Sequence, residues 1–429
     1  MSWNKHSRQT RITAMTLCLG LSITANSAEP VKDLCAGLIT DKLSHPMPKV
    51  AKPAHLAAFK DPVFGSTVRR ITNASSGEII KPIYSTIQAW NADESYLILW
   101  DRNKGHQLYD GKTYKFIRQL DINPADLEQV YWDFKKPNIL YFVEHYHIMG
   151  GFPAGNRLIR YEVSSGKAEV LKDFMKDCKN NELSSGGDPM GMSWDSNVIG
   201  LKCGSENNTN FFYYKIGERE TGPFVTPKML KGAEPSLAPQ PTPSGKRFYM
   251  QGRVLDEHLI PVRQLDLANS GEHASLGRFP NGEDGYFAVT FDGGDQCGEG
   301  SLVAHNLENG SCRVVIGEVT GWPYPPTSTH VSAIAHRNPG WVGVSSVGDP
   351  ESTKALHQEI YLAYVDDKKP KVCRVAHHHS YAKEGKMGYW SEPHVVISPS
   401  GTRLLFASDW DNGKSVDTYV VELPAYNAE

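Results

Sequence analysis

Ser398-Pro-Ser-Gly-Thr-Arg-Leu-Leu-Phe406 reads as a tight turn running into an apolar strand. Proline presets φ at the second turn position, glycine accepts the left-handed conformation, and Leu404 to Phe406 suit a buried strand. The same turn-then-strand signature stands at Trp90-Asn-Ala-Asp-Glu-Ser-Tyr-Leu-Ile-Leu-Trp100, at Trp132-Asp-Phe-Lys-Lys-Pro-Asn-Ile-Leu-Tyr-Phe-Val143 and at Trp194-Asp-Ser-Asn-Val-Ile-Gly-Leu201. It recurs at Pro243-Ser-Gly-Lys-Arg-Phe-Tyr-Met250, Asn281-Gly-Glu-Asp-Gly-Tyr-Phe-Ala-Val289 and Asn338-Pro-Gly-Trp-Val-Gly-Val344, which makes seven copies. Between copies lie further strand-like runs, such as Leu158 to Val163, Phe211 to Ile216 and Glu359 to Val365, each followed by a polar turn and another short strand. About four strands per ~50 residues is the blade of a β-propeller. Amphipathic helices of ~10–15 residues, which a parallel βαβ fold needs between its strands, are missing. The expected fold is therefore all-β, a seven-bladed propeller of four-stranded antiparallel blades over residues 61–429.

Residues 1–28 read as a secretory signal. Lys5, Arg8 and Arg11 precede a short apolar run from Ile12 to Ala25, and Ala25-Asn-Ser-Ala28 offers small residues for cleavage. The run is shorter than the ~20 residues a transmembrane helix needs, so a periplasmic or secreted protein without a membrane anchor is expected. Residues 29–60, with several Pro and Lys, read as an irregular arm, and Phe64 to Ile71 as the strand that closes the ring. Without Cys18, six cysteines remain, an even number that suggests disulfides in an oxidising compartment. Cys178 with Cys203 and Cys297 with Cys312 are available local pairs, leaving Cys35 to reach Cys373; buried free thiols are the other reading. The net charge of −3 and scattered basic residues exclude nucleic acid as the main partner, because phosphate binding needs a concentrated basic face. An anionic sugar needs only a few well-placed cations.

The chemistry-bearing residues are histidines. His273, His330 and His394 each stand at the entry to the first strand of a blade, in three successive blades. Those entries converge at the mouth of the central channel. Glu392 lies two residues before His394, so an extended chain would point both the same way. Two imidazoles and a carboxylate can hold a divalent metal, Mn or Zn, with positions left open for substrate. The competing reading is of histidines hydrogen-bonded within turns. Tyr84, His145 and His147 are candidate contacts or proton donors, with a packing role as the alternative. His377 to His379 read as a solvated loop, with a metal-binding tract as the alternative. Trp90, Trp132, Trp194 and Trp341 belong to the repeat and read as core; Trp322, Trp390 and Trp410 are the better candidates for stacking on sugar.

The Ser398-Pro-Ser-Gly turn and its strand resemble the repeats of TolB-type propellers. The longer segment Glu392-Pro-His-Val-Val-Ile-Ser-Pro-Ser-Gly-Thr-Arg-Leu-Leu-Phe-Ala-Ser-Asp409 resembles the last blade of the oligogalacturonate lyases. Those are seven-bladed propellers that cleave short pectic oligomers by β-elimination with bound Mn. The family has His-Pro-His here, so His394 matches its second histidine and Glu392 replaces its first; its glutamine ligand has no match around Tyr389. By order and spacing the resemblance implies that His330 is a metal ligand, His273 the catalytic histidine and Arg253 the substrate arginine. The implied activity is metal-assisted β-elimination on an anionic, uronic-acid-containing oligo- or polysaccharide. His273 would be the base, Arg253 a charge stabiliser, Tyr84 a further catalytic contact, and His330, Glu392 and His394 the metal ligands. The alternative is a non-enzymatic TolB-like propeller that binds a protein or glycan.

Overall fold

Each copy of the turn signature becomes the hairpin between the first and second strands of a blade. At the last copy, Gly401 takes φ +77°, its N–H bonds Ser398 O at 2.9 Å, and Ser398 N–H bonds Arg403 O across the turn at 3.0 Å. Asp133 does the equivalent work in another copy by accepting from the amides of Lys135 and Lys136 at 2.9 and 2.8 Å. The computed structural model describes Met1 and residues 33–427, apart from 149–151, 180, 188–189, 206–207, 268–272, 295–296, 367, 369, 382–386 and 411–412. Of 145–148 and 152–155 it describes the backbone alone. The expected leader lies outside the described residues except for Met1, as do the side chains of His145 and His147.

Seven antiparallel sheets form a β-propeller. Blade 1 comprises Ile80–Lys81, Tyr96–Asp101, Gly105–Asp110 and Phe116–Gln119, in that spatial order. Blades 2, 3 and 4 span 130–173, 183–221 and 240–264. Blade 5 comprises Ala274–Arg278, Asp284–Thr290, Gly300–Asn306 and Cys312–Ile316; blade 6 comprises Thr329–Ser332, Trp341–Ser346, Glu359–Tyr364 and Lys371–His377. Blade 7 joins the two ends of the chain. Its strands Val396–Ile397, Arg403–Ser408 and Asp417–Glu422 are completed by Thr67–Arg70, with Val68 opposite Val421, and Ala58–Lys60 adds a fifth strand at the edge.

First strands are buried, as Thr329–Ser332 illustrates, whereas the fourth strand is largely exposed in blade 1 (Phe116–Gln119) and mostly buried in blade 6 (Lys371–His377). Apolar side chains fill the wedges between blades, and the tryptophans of the repeat pin them: Trp132 Nε1–H donates to Ala89 O in blade 1 at 3.0 Å, and Trp90 packs fully buried. At the seam between blades 7 and 1, Arg403 pairs with Glu94 at 2.6 Å and lies over Trp90 at 4.9 Å, both charges being buried. Disulfides join Cys178 to Cys203, Cys297 to Cys312, and Cys35 to Cys373, the last tying the arm to blade 6.

Two expectations are corrected. His377, His378 and His379 are buried, not solvated: Asp61 accepts from His377 N–H at 2.9 Å, and His377 Nε2 and His378 Nε2 lie 2.8 and 3.0 Å from the carbonyl oxygens of His45 and Ser346. The arm covers this run, which its local sequence does not reveal. Trp322 and Trp410 are likewise buried, Trp410 stacking on Tyr419 and donating to Val50 O at 3.0 Å, so of the three stacking candidates only Trp390 keeps an accessible face.

Candidate active site

A repeated serine rivet sets the site. Ser275, two residues after His273, accepts the amide of Ala333 through Oγ at 3.0 Å, and Ser332, two residues after His330, accepts the amide of Ile397 at 3.1 Å. Ala333 and Ile397 each lie three residues after the histidine of their own blade. The first strands of blades 5, 6 and 7 therefore sit side by side in equivalent register, and their histidines must stack. The His273 and His330 rings are parallel with centroids 4.0 Å apart, and His330 and His394 lie 4.3 Å apart.

His330, Glu392 and His394 present one ligand atom each, all within 4.8 Å of one another. Glu392 and His394 meet for a reason other than strand alternation. His394 has φ +43°, so the chain turns back and His394 Nδ1 lies 2.9 Å from Glu392 O. Ser328, also left-handed at φ +51°, donates its hydroxyl to Glu392 Oε1 at 3.0 Å. Non-glycine residues held in this region cost energy and cluster at functional sites. With Nδ1–H donating to a carbonyl, His394 keeps the Nε2 lone pair free, and among the described residues neither His394 Nε2 nor His330 Nε2 has a hydrogen-bond partner. Glu392 Oε2 lies 3.8 Å from His330 Nε2.

His273 is oriented in the same way, with Nδ1 2.8 Å from Thr329 O, which leaves Nε2 as its basic nitrogen. Burial pulls the His273 imidazole below its ordinary range. Burial, reinforced by neighbouring positive charge, pulls His330 and His394 far lower, so all three rings are neutral near pH 7. Burial raises the Glu392 carboxyl, against the opposing pull of the Ser328 hydroxyl and the Lys81 charge. Neutral imidazoles with outward lone pairs beside a carboxylate are a donor set for a borderline or hard divalent cation.

Tyr84 belongs to the cluster, its ring 5.8 Å from His330 and 5.4 Å from His394. Arg253 begins the third strand of blade 4, with Nη1 buried and unbonded, and its described contacts do not include the imidazoles. Two residues that sequence reasoning missed complete the wall. Lys81, on the first strand of blade 1, is buried and acts electrostatically on His330, His394 and Glu392. Burial pushes its ammonium down to about 8, against the pull of Glu128 and Glu392. Tyr389 sets its ring edge-on to His394 at 4.8 Å. Applying the strand-entry rule to blade 1 as well as to blades 5 to 7 would have found Lys81. Further along the first strands the channel lining is mainly apolar, with Ile87, Trp132, Met192, Leu276 and Ile334 beside the polar Thr86 and Gln88.

No protein-family model and no curated protein sequence matches the chain. Solved structures do. An oligogalacturonate lyase in complex with manganese superposes with a TM-score of 0.58 at 14% identity, over 90% of this chain and 99% of that one. An oligogalacturonate lyase from Vibrio parahaemolyticus gives 0.58 at 12% identity, over 86% of this chain and 96% of that one. The chain thus has the seven-bladed propeller fold of the oligogalacturonate lyases, along nearly its whole length.

Proposed function

We propose that the protein is a metal-assisted lyase that cleaves a uronic-acid-containing oligo- or polysaccharide by β-elimination. The observation that carries this reading is the convergence of His330, Glu392 and His394, ligand atoms within 4.8 Å, with His273 stacked on His330 at 4.0 Å. His330 Nε2, His394 Nε2 and the Glu392 carboxylate would hold the cation, Mn or Zn, and their unpartnered nitrogens fit that role. When bound, the cation supplies Lewis acidity that stabilises charge on the substrate carboxylate.

The proton on C5 of a uronate is α to a carboxylate and only weakly acidic, so its removal needs a base and a stabilised enediolate. His273 supplies the base: its Nδ1 is tied to Thr329 O, and Nε2 accepts the proton. Tyr84, packed against the imidazoles, would donate to the departing glycosidic oxygen, and Arg253 would hold an acidic residue further along the chain. The likeness to lyases at 12–14% identity supports this reading through fold. An exported protein, periplasmic or secreted, is part of the proposal, since the leader-like N-terminus would place the enzyme where such glycans arrive.

The test is a screen on uronate-containing glycans, following ultraviolet absorbance of the unsaturated product. The expected result is product formation that EDTA abolishes, that Mn or Zn restores, and that His394→Ala removes together with metal binding. Absence of product from every uronate, with no cation bound by the purified protein, would replace the lyase with a glycan- or protein-binding propeller.

A further inference from the structure

Lys81 has no role in the elimination outlined above, and the fold does not explain it. Its side chain is 2% exposed, and among the described residues no hydrogen bond or ion pair reaches its ammonium. Its neighbours are rings: the ammonium lies 5.7 Å from the centre of Tyr389 and 5.7 Å from that of Trp390. Glu128 and Glu392 act on it only through space. The lysine stem is buried while the ammonium sits between ring faces with no hydrogen-bonded counter-charge among the described residues, an arrangement that an anion would complete. Glu392 is not that anion, since Oε1 is held by the Ser328 hydroxyl and Oε2 faces His330.

The rings around Lys81 are fixed from behind. Trp390 stacks on Trp100 at 5.3 Å and lies under the Arg102 guanidinium at 5.3 Å. Tyr389 is 47% exposed and presents its ring to solvent beside His394. A flat ring face, a recessed cation and an outer guanidinium in sequence match a pyranose that carries a carboxylate, followed by a second acidic residue.

We propose that Lys81 and Tyr389 form the recognition pocket for a uronate residue, with Lys81 taking the carboxylate, Tyr389 the sugar face, and Arg102 the carboxylate of the next residue outward. This rests on the reading of the site as uronate-binding, and it names the residues that set acid specificity. A neutral or methyl-esterified sugar would leave the Lys81 donors unmet, so the pocket discriminates against it.

The experiment compares calorimetric binding of saturated trigalacturonate and its methyl ester by the wild type, Lys81→Met and Lys81→Arg, with thermal melts of each. Lys81→Met is expected to weaken trigalacturonate binding by about tenfold or more, the worth of a charge-assisted hydrogen bond. Binding of the ester should stay within about twofold, and the melting temperature should rise, because a buried unpaired charge has gone. Lys81→Arg should keep part of the preference for the acid. An unchanged acid-to-ester ratio overturns the proposal, as does a fall in melting temperature with equal loss of both ligands, which would make Lys81 structural. The two readings separate cleanly. A wild type that binds the acid through Lys81 but cleaves no uronate refutes the lyase and keeps the pocket. One that cleaves uronates while Lys81→Met keeps the ratio refutes the pocket alone. Binding of neither ligand by the wild type refutes both.

Discussion

Replacing Arg403 by Met tests what holds the ring shut. Arg403 in blade 7 pairs with Glu94 in blade 1 at 2.6 Å, donates to Gly111 O, and lies 4.9 Å over Trp90 and 4.6 Å over Tyr426. Glu94 is 6% exposed, and its other oxygen accepts from Ser400 N–H at 2.6 Å. Burial would raise the Glu94 carboxyl, and Arg403, helped by Ser400 and Arg337, more than offsets that rise, holding it below its ordinary value. Methionine keeps the packing of the arginine stem but strands the carboxylate, whose remaining cation, Arg337, stands 3.7 Å away. Breaking a buried pair by removing one partner costs about 3–5 kcal/mol, and Arg337 recovers part of it, so about 3 kcal/mol is expected. Against a typical total of about 5–15 kcal/mol, that is a large share. Urea unfolding of wild type, Arg403→Met, Glu94→Gln and the double variant measures it. The single changes should lower the midpoint at unchanged m-value, and the double variant should lose less than their sum by more than about 1 kcal/mol. A loss under about 1 kcal/mol for Arg403→Met, or strict additivity, would refute the view that this pair is the seam's main polar clasp.

Ser328→Ala removes the hydroxyl that orients Glu392 and should weaken Mn or Zn binding by about 10–100-fold with little change in melting temperature; unaltered affinity would exclude Glu392 as a ligand held in this way. Cys35→Ser opens the bridge to Cys373 across a sequence separation of 338 and should cost about 2–5 kcal/mol in denaturant titrations under oxidising conditions, with wild type under reductant losing at least as much because the bridges Cys178–Cys203 and Cys297–Cys312 open as well. His305 and His378 are fully buried, and burial lowers them to about 4 and about 3. The unfolded chain, with histidines near 6.5, then binds more protons, so stability is complete above about pH 6.5 and falls as pH drops toward 4. At pH 5 each histidine should cost on the order of 2 kcal/mol, and a melting temperature flat from pH 7 to 5 would contradict it.

The propeller was legible because its signal is local. A turn such as Ser398-Pro-Ser-Gly followed by Leu404 to Phe406 specifies a hairpin from within a dozen residues, and repetition of the hairpin specifies the ring. The histidines were legible as strand entries for the same reason. The mechanism of their convergence was not, because it depends on side chains reaching between blades. His273-Ala-Ser275 and His330-Val-Ser332 share a spacing whose meaning emerges only when each serine is seen bonding the next strand. Glu392 and His394 were paired by strand alternation, whereas the operative device is the left-handed backbone of His394. Lys81 escaped notice because lysine ordinarily signals surface, and its burial is imposed by Tyr389 and Trp390, some three hundred positions away. The run His377 to His379 was misread for a similar reason, since Asp61 and His45, which partner His377, come from the other end of the chain.

That blade 7 is sewn from both termini has a consequence for how the protein comes into being. Lys81 and Tyr84 are synthesised in the first blade, His273 and His330 in the fifth and sixth, and Glu392 and His394 only in the seventh. On the proposed reading, a chain that ends before Glu392 would own His273 and His330 but lack Glu392 and His394, two of the three ligands. On that reading, tight capture of metal would be a certificate of completion, issued only once the final strands have docked beside Thr67–Arg70. Metal retained through purification would thus report the fraction of molecules that are whole, independently of any turnover.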